Sequence, residues 1–296
     1  MDLRSEAFLK TPLPGSPRIV PATDGYPLAV TRFSPRRGLR ARVVLSSATG
    51  VPQRYYQRFA RYLADRGLEV LTYDYRGVGG SRPPKLRGFE ARMLDWGRKD
   101  FAGVLDFALA AGPEPVLVVG HSVGGQLVGL APNAHRVRGI VTVGSQSGWV
   151  RHWSGMGQLK MALYMYALVP GVARAVGYLP GGLGLGEALP EGVARQWAAW
   201  CRRPEYLFGS REPRRPGYAR IVAPMLAVSV DDDDYAPRAA VDWLAAQYTN
   251  ATVERRHLRP ADLGRRSVGH FGPFRLACAD PFWRDLRTWL LERVPA

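Results

Sequence analysis

The stretch Pro115-Val116-Leu117-Val118-Val119-Gly120-His121-Ser122-Val123-Gly124-Gly125-Gln126 decides how the rest of the chain is read. Its first half is a short, continuous apolar run, the pattern of a strand buried on both faces of a parallel sheet. Its second half passes at once into a helical pattern, with Gly120, Ser122 and Gly124 in G-x-S-x-G spacing. Glycine is required at 120 and 124 because the turn is tight and the helix crowds the strand. The Ser122 hydroxyl is then held exposed at the sheet edge, above the positive end of the helix. An ordinary loop whose serine merely caps the helix is the competing reading. The strand before the motif and the helix after it favour the first.

Outward from this stretch, strands are expected at Leu28–Phe33, Val43–Ser47, Glu69–Tyr73, Gly139–Val143, Met225–Val230 and Thr252–Leu258. Helices are expected at Gln53–Asp65, Asp95–Ala110, Val123–Ala131, Ala236–Gln247 and Pro281–Glu292. The alternation predicts an α/β fold: a mostly parallel central sheet with helices on both faces. One segment, 146–221, breaks it. Tryptophan and glycine are dense there, and Pro170, Pro180, Pro190, Pro204 and Pro213 interrupt any helix. It reads as an inserted helical cap built of short helices, leaving 1–145 and 222–296 as the core. Its Gly181–Gly186 run reads as a turn and does not join a strand to a helix as a dinucleotide motif would. The aromatics Trp149, Trp153, Tyr164, Tyr166, Trp197 and Trp200 suit plain packing and the lining of an apolar pocket about equally.

Composition narrows the classes. The chain has 296 residues and is 46% hydrophobic and 22% charged, which excludes disorder for its bulk. Cys201 and Cys278 could form at most one bridge, so no disulfide scaffold exists, and no Cys/His spacing suits zinc. No metal is expected. The most apolar helical run, Met161–Ala173, contains Pro170 and falls short of the roughly 20 residues of a membrane span. The first residues alternate in charge without an apolar core, so a soluble cytoplasmic protein with reduced thiols is expected. The net charge of +16 invites a nucleic-acid reading. The basic residues are scattered, however, and only four of the 41 are lysine, so a solvated basic surface is favoured and no nucleic-acid partner is expected. A weaker reading is attraction of anionic substrates or membrane surfaces.

A serine hydroxyl is a weak nucleophile and needs a base, and the base needs an acid to orient it. Of five histidines, His121 adjoins the serine but should point away, His135 and His152 precede the last strands, and His257 lies inside one. His270, in Gly269-His270-Phe271-Gly272, follows the last strand on a glycine-flanked loop and is the expected base. The acid should follow the strand Met225–Val230, where Asp231-Asp232-Asp233-Asp234 offers four carboxylates. Register against Pro237 selects Asp233, with Asp232 next. Two backbone N–H groups should face the developing oxyanion. Val123 supplies one. The turn Ala48-Thr49-Gly50-Val51-Pro52 supplies the other, with Val51 chosen because Pro52 has no N–H.

These features, with Asp74-Tyr75-Arg76-Gly77-Val78-Gly79-Gly80-Ser81, fall in the order found in the α/β-hydrolase superfamily, which the chain resembles from about residue 18 to 294. Gly50-Val51-Pro52-Gln53-Arg54-Tyr55-Tyr56 and Gly192-Val193-Ala194-Arg195-Gln196-Trp197 resemble a bacterial group of predicted α/β-hydrolases. The resemblance implies an α/β-hydrolase fold, a serine nucleophile and no cofactor, and names no substrate. A small-molecule ester with an apolar acyl group is the expected substrate, with thioester or amide as variants. The alternatives are acyl transfer at the same site and a non-catalytic small-molecule binding protein. Asp74 and Arg76 are read as braces of the loop after Tyr73.

Overall fold

The computed structural model describes residues 15–182, 186–209 and 215–294. Strands form where the β-branched runs lie: β1 (Ser16–Pro21), β2 (Pro27–Phe33), β3 (Ala41–Ser46), β4 (Leu68–Tyr73), β5 (Val116–His121) and β6 (Gly139–Val143). A two-residue ribbon, β7 (Tyr178–Leu179) with β8 (Leu189–Pro190), precedes β9 (Met225–Val230) and β10 (Val253–Leu258). Eight of them make one sheet in the order β1-β2-β4-β3-β5-β6-β9-β10. The strands from β4 through β10 in that order run parallel; β2 is antiparallel to β4, and β1 to β2.

Side-chain alternation along the strands builds two cores. Val43, Leu45, Leu117, Val119, Val141 and Val228 face Phe59 and Leu63 of helix Gln57–Ala64 and Trp283, Leu286 and Leu290 near the C-terminus. Val44, Val118, Ile140 and Ala227 face the other way, toward Trp96, Phe101 and Leu105 of the helical run 93–110 and toward Leu244. With both faces covered, β3, β4, β5, β6 and β9 are buried throughout, which is why they read as continuous apolar runs.

The β7–β8 ribbon was not expected, and the helix expected at Val123–Ala131 stops at Gln126; two further differences have a clear cause. β1 has no counterpart in the expected strands because it is an edge strand with two prolines and a single buried side chain, Val20, so it carries no periodic apolar signal. In the segment between β6 and β9, the helix Gly155–Val176 continues for 22 residues straight through Pro170. A π-turn at Tyr164–Leu168 precedes the proline, which therefore falls in the first turn of the following α-segment, where a missing N–H is tolerated. The same segment holds helix Glu191–Cys201. Its Met165, Val169, Val193, Ala198 and Trp200 join the core cluster on one face of the sheet. Part of the 181–186 glycine run lies outside the described residues.

Candidate active site

Ser122 occupies the turn between β5 and the helix Val123–Gln126 with φ 53° and ψ −120°, a conformation that costs a non-glycine residue about 1–3 kcal/mol. The glycines around it are demanded by contact. A Cβ at Gly124 would come within 2.2 Å of the Ser46 carbonyl oxygen, and one at Gly120 within 2.5 Å of Gly125. Ser122 N–H donates to the Val143 carbonyl at 2.9 Å, fastening the turn to the end of β6.

The next residue, Gly144, brings the other candidates together. Its φ is +58°, and a Cβ there would stand 3.1 Å from Asp233 Oδ2 and 3.2 Å from two atoms of the His270 ring. Those two side chains are themselves paired: His270 Nδ1 and Asp233 Oδ2 are 2.7 Å apart and almost fully buried. The pair therefore lies over the Val143–Gly144 backbone that holds the serine turn. The second Asp233 oxygen accepts the N–H groups of Tyr235 (2.9 Å) and Ala236 (3.0 Å), which leaves the first free to orient the imidazole.

The residues of the Asp231–Asp234 run make contacts in four directions, three through carboxylates and one through a backbone carbonyl. Asp231 pairs with His257, whose Nδ1 meets Ser229 Oγ at 2.7 Å, so His257 is a strut between the last two strands. Asp232 accepts Val268 N–H (2.7 Å), Gly269 N–H (2.9 Å) and Ser267 Oγ–H (2.8 Å), and so ties down the loop that carries His270. Burial opposes its charge, but these donors prevail and hold its carboxyl below the usual carboxylate range. Asp233 takes the imidazole. The Asp234 carbonyl accepts the Trp153 indole N–H at 2.7 Å. Among the described residues no three His, Cys, Asp or Glu side chains converge as a metal-binding group.

Both ring nitrogens of His121 are engaged by groups other than Ser122, and these contacts fix its protons. Ala48 N–H donates to Tyr56 Oη at 2.9 Å, so the tyrosine proton goes to His121 Nδ1 at 2.7 Å, and His121 Nε2–H donates to the His270 carbonyl at 3.0 Å. Burial, reinforced by the neighbouring His270, drives the His121 pKa well below the ordinary histidine value and keeps the ring neutral. This chain couples the turn after β3, the serine turn and the His270 loop. Tyr56 is fully buried, so Tyr56→Phe would strand the Ala48 donor and the His121 acceptor. A loss of about 1–3 kcal/mol is expected in urea unfolding, with a smaller loss of turnover than from any change at Ser122.

The Val123 N–H has no protein acceptor among the described residues, as an oxyanion donor requires. Val51 differs from expectation: its N–H donates to the Ala48 carbonyl at 3.1 Å, closing a turn around Gly50, whose φ is +66°. With that donor engaged, the N–H groups of Thr49 and Gly50, which have no acceptor among the described residues, are the ones left on this turn. Asp74 and Arg76 are braces. Asp74 accepts Gln53 N–H at 2.7 Å and Gly80 N–H at 2.9 Å, and Arg76 bridges Asp100 and Asp24.

The segment 146–221 touches three sides of this site. Glu187 N–H donates to the Gly50 carbonyl at 2.7 Å. Trp153 reaches Asp234, as above. Tyr206 Oη–H donates to Gln126 Oε1 at 2.8 Å, on the helix after the serine. From there the amides run on: Gln126 Nε2–H to Gln146 Oε1 (3.1 Å), and Gln146 Nε2–H to the Tyr235 carbonyl (2.9 Å).

A model of the alpha/beta hydrolase family matches residues 43–288. No curated protein matches the chain. Among solved structures, a soluble variant of monoglyceride lipase from Saccharomyces cerevisiae, in complex with a substrate analog, aligns with a TM-score of 0.71 at 14% identity, covering 97% of this chain and 98% of that one. A thermophilic esterase from Thermogutta terrifontis aligns at 0.60 and 16% identity, over 96% and 100% of the two chains. An α/β serine hydrolase without a lid, from Xanthomonas campestris, aligns at 0.53 and 16% identity, over 97% and 98%. At these identities the structural likeness is one of fold.

Proposed function

The chain belongs to the alpha/beta hydrolase family, and on that premise we propose that it is a serine hydrolase of carboxylic esters. The observation that carries the reading is the buried His270–Asp233 pair, 2.7 Å between Nδ1 and Oδ2, placed over the backbone that holds Ser122. In the proposed reaction His270 takes the Ser122 proton as Oγ attacks the ester carbonyl. Asp233 fixes the imidazole tautomer and stabilises the imidazolium. The N–H of Val123 and one N–H from Thr49 or Gly50 receive the oxyanion. Collapse expels the alcohol, protonated by His270, and leaves an acyl group on Ser122. Water, deprotonated by His270, then releases the acid. The lipase and esterase named among the structural neighbours are consistent with an ester as substrate.

The segment 146–221 is, in the same proposal, a lid that selects the acyl group and excludes water from the acyl-enzyme. Support comes from its contacts with the Gly50 turn, the Asp234 loop and Gln126, and from Tyr164 and Trp197, half-buried aromatics packed against the core cluster. Turnover across p-nitrophenyl esters of rising chain length tests both parts. Wild-type enzyme should hydrolyse the series with a clear chain-length optimum. Trp197→Ala should move that optimum while changing acetate turnover by less than about threefold, since a fold-change of that size is under 1 kcal/mol. Absence of turnover on every ester would contradict the hydrolase reading, and an unmoved optimum the lid.

A further inference from the structure

The helix Gly155–Val176 has two faces of opposite character. Met165, Val169 and Ala173, spaced by four, are buried in the core cluster, with Met161, Tyr164 and Val172 packed beside them. The other face carries Met156, Leu159 and Leu163, which are 65%, 62% and 66% exposed, followed by Tyr166. The spacing i, i+3, i+7 puts the first three on one stripe. Scattered exposed apolar side chains are ordinary; a row of large ones along a single helix is not. Its electrostatic setting is one-sided. The sequence has no Asp or Glu between Glu114 and Glu187. Arg151, Lys160 and Arg174, just before and along the helix, are exposed, and none pairs with a carboxylate among the described residues.

We propose that this helix docks flat on an anionic lipid bilayer, with Met156, Leu159 and Leu163 in the acyl–headgroup boundary and the three cations among the headgroups. At 22 residues it has the length to span. Its opposite face is committed to the protein core, however, so it lies along the interface and does not cross. The Lys160 stem can follow the leucines while its ammonium reaches a phosphate. A second copy would also cover the stripe. A symmetric pair would bring two sets of Arg151, Lys160 and Arg174 together with no carboxylate from this stretch to offset them, which favours an anionic surface over self-association.

Flotation of the full chain with vesicles tests this without reference to turnover, so it stands or falls separately from the ester-hydrolase reading. With vesicles of phosphatidylcholine and phosphatidylglycerol at low salt, the wild-type chain should float, and bind pure phosphatidylcholine at least about tenfold more weakly. Leu159→Glu/Leu163→Glu should lower binding to the anionic vesicles by at least about tenfold, because the charges oppose burial of the stripe. Leu159→Ser/Leu163→Ser is the second variant should the glutamates disturb folding, checked by thermal melting. Three results would overturn the proposal: no flotation of the wild-type chain, equal flotation with both vesicle types, or unchanged flotation of both variants. A dimer by light scattering that the Leu159/Leu163 changes dissociate would overturn it too, by showing that a second copy covers the stripe.

Discussion

Ser122→Ala is expected to lower ester turnover on the order of 10⁴-fold or more, and His270→Ala by a comparable factor. The two groups act as one unit, so the double variant should be little worse than either single. Both substitutions should leave the fold intact. Ser122 makes its structural hydrogen bond through its backbone N–H, and alanine meets the same positive φ with no larger side chain. His270 lends its carbonyl, not its ring, to His121. Steady-state kinetics with urea unfolding as the folding control separates lost chemistry from lost structure. Undiminished turnover in either single variant would remove that residue from the mechanism.

The second large effect distinguishes adjacent carboxylates. Asp233→Asn should cost about 10⁴-fold in kcat, because an amide facing Nδ1 stabilises the wrong imidazole tautomer. Asp232 does different work, and Asp232→Ala should cost roughly 10–100-fold by releasing the backbone that places His270. Its carboxyl lies below the usual carboxylate range. The anchoring it provides is therefore fully present above about pH 4 and fades only as more acid solution protonates it. Asp231→Asn should be mild, since Asp231 braces His257 at the sheet edge. The kcat values of the three variants, compared at pH 7, give the ranking directly. Asp232→Ala more damaging than Asp233→Asn would reverse the assignment.

How much of this was legible in the sequence follows from what each residue does. The serine turn was legible because its glycines answer to backbone sterics that no other residue meets: the Ser46 carbonyl would stand 2.2 Å from a Cβ at 124. Asp233 was legible as a register against Pro237, since the backbone that starts the helix Arg238–Ala245 also turns one carboxylate inward. The role of Asp232 was not, because its partners lie 35 to 37 residues away and two of the three are backbone N–H groups, which leave no trace in side-chain type. The bond from Val51 N–H to the Ala48 carbonyl was hidden for a related reason: a sequence does not say which N–H a turn consumes. The Tyr56–His121 chain joins residues 65 apart, so no local spacing reveals it. The long helix 155–176 was hidden by Pro170, whose effect depends on the π-turn before it.

The central claim is that Ser122, activated by His270 and Asp233, becomes acylated. Reaction of the folded wild-type protein with a fluorophosphonate, followed by peptide mass mapping, tests it most directly. The expected result is one adduct on Ser122, absent from Ser122→Ala and formed far more slowly in His270→Ala. No adduct on the folded wild-type chain, or an adduct elsewhere that persists in Ser122→Ala, would contradict it.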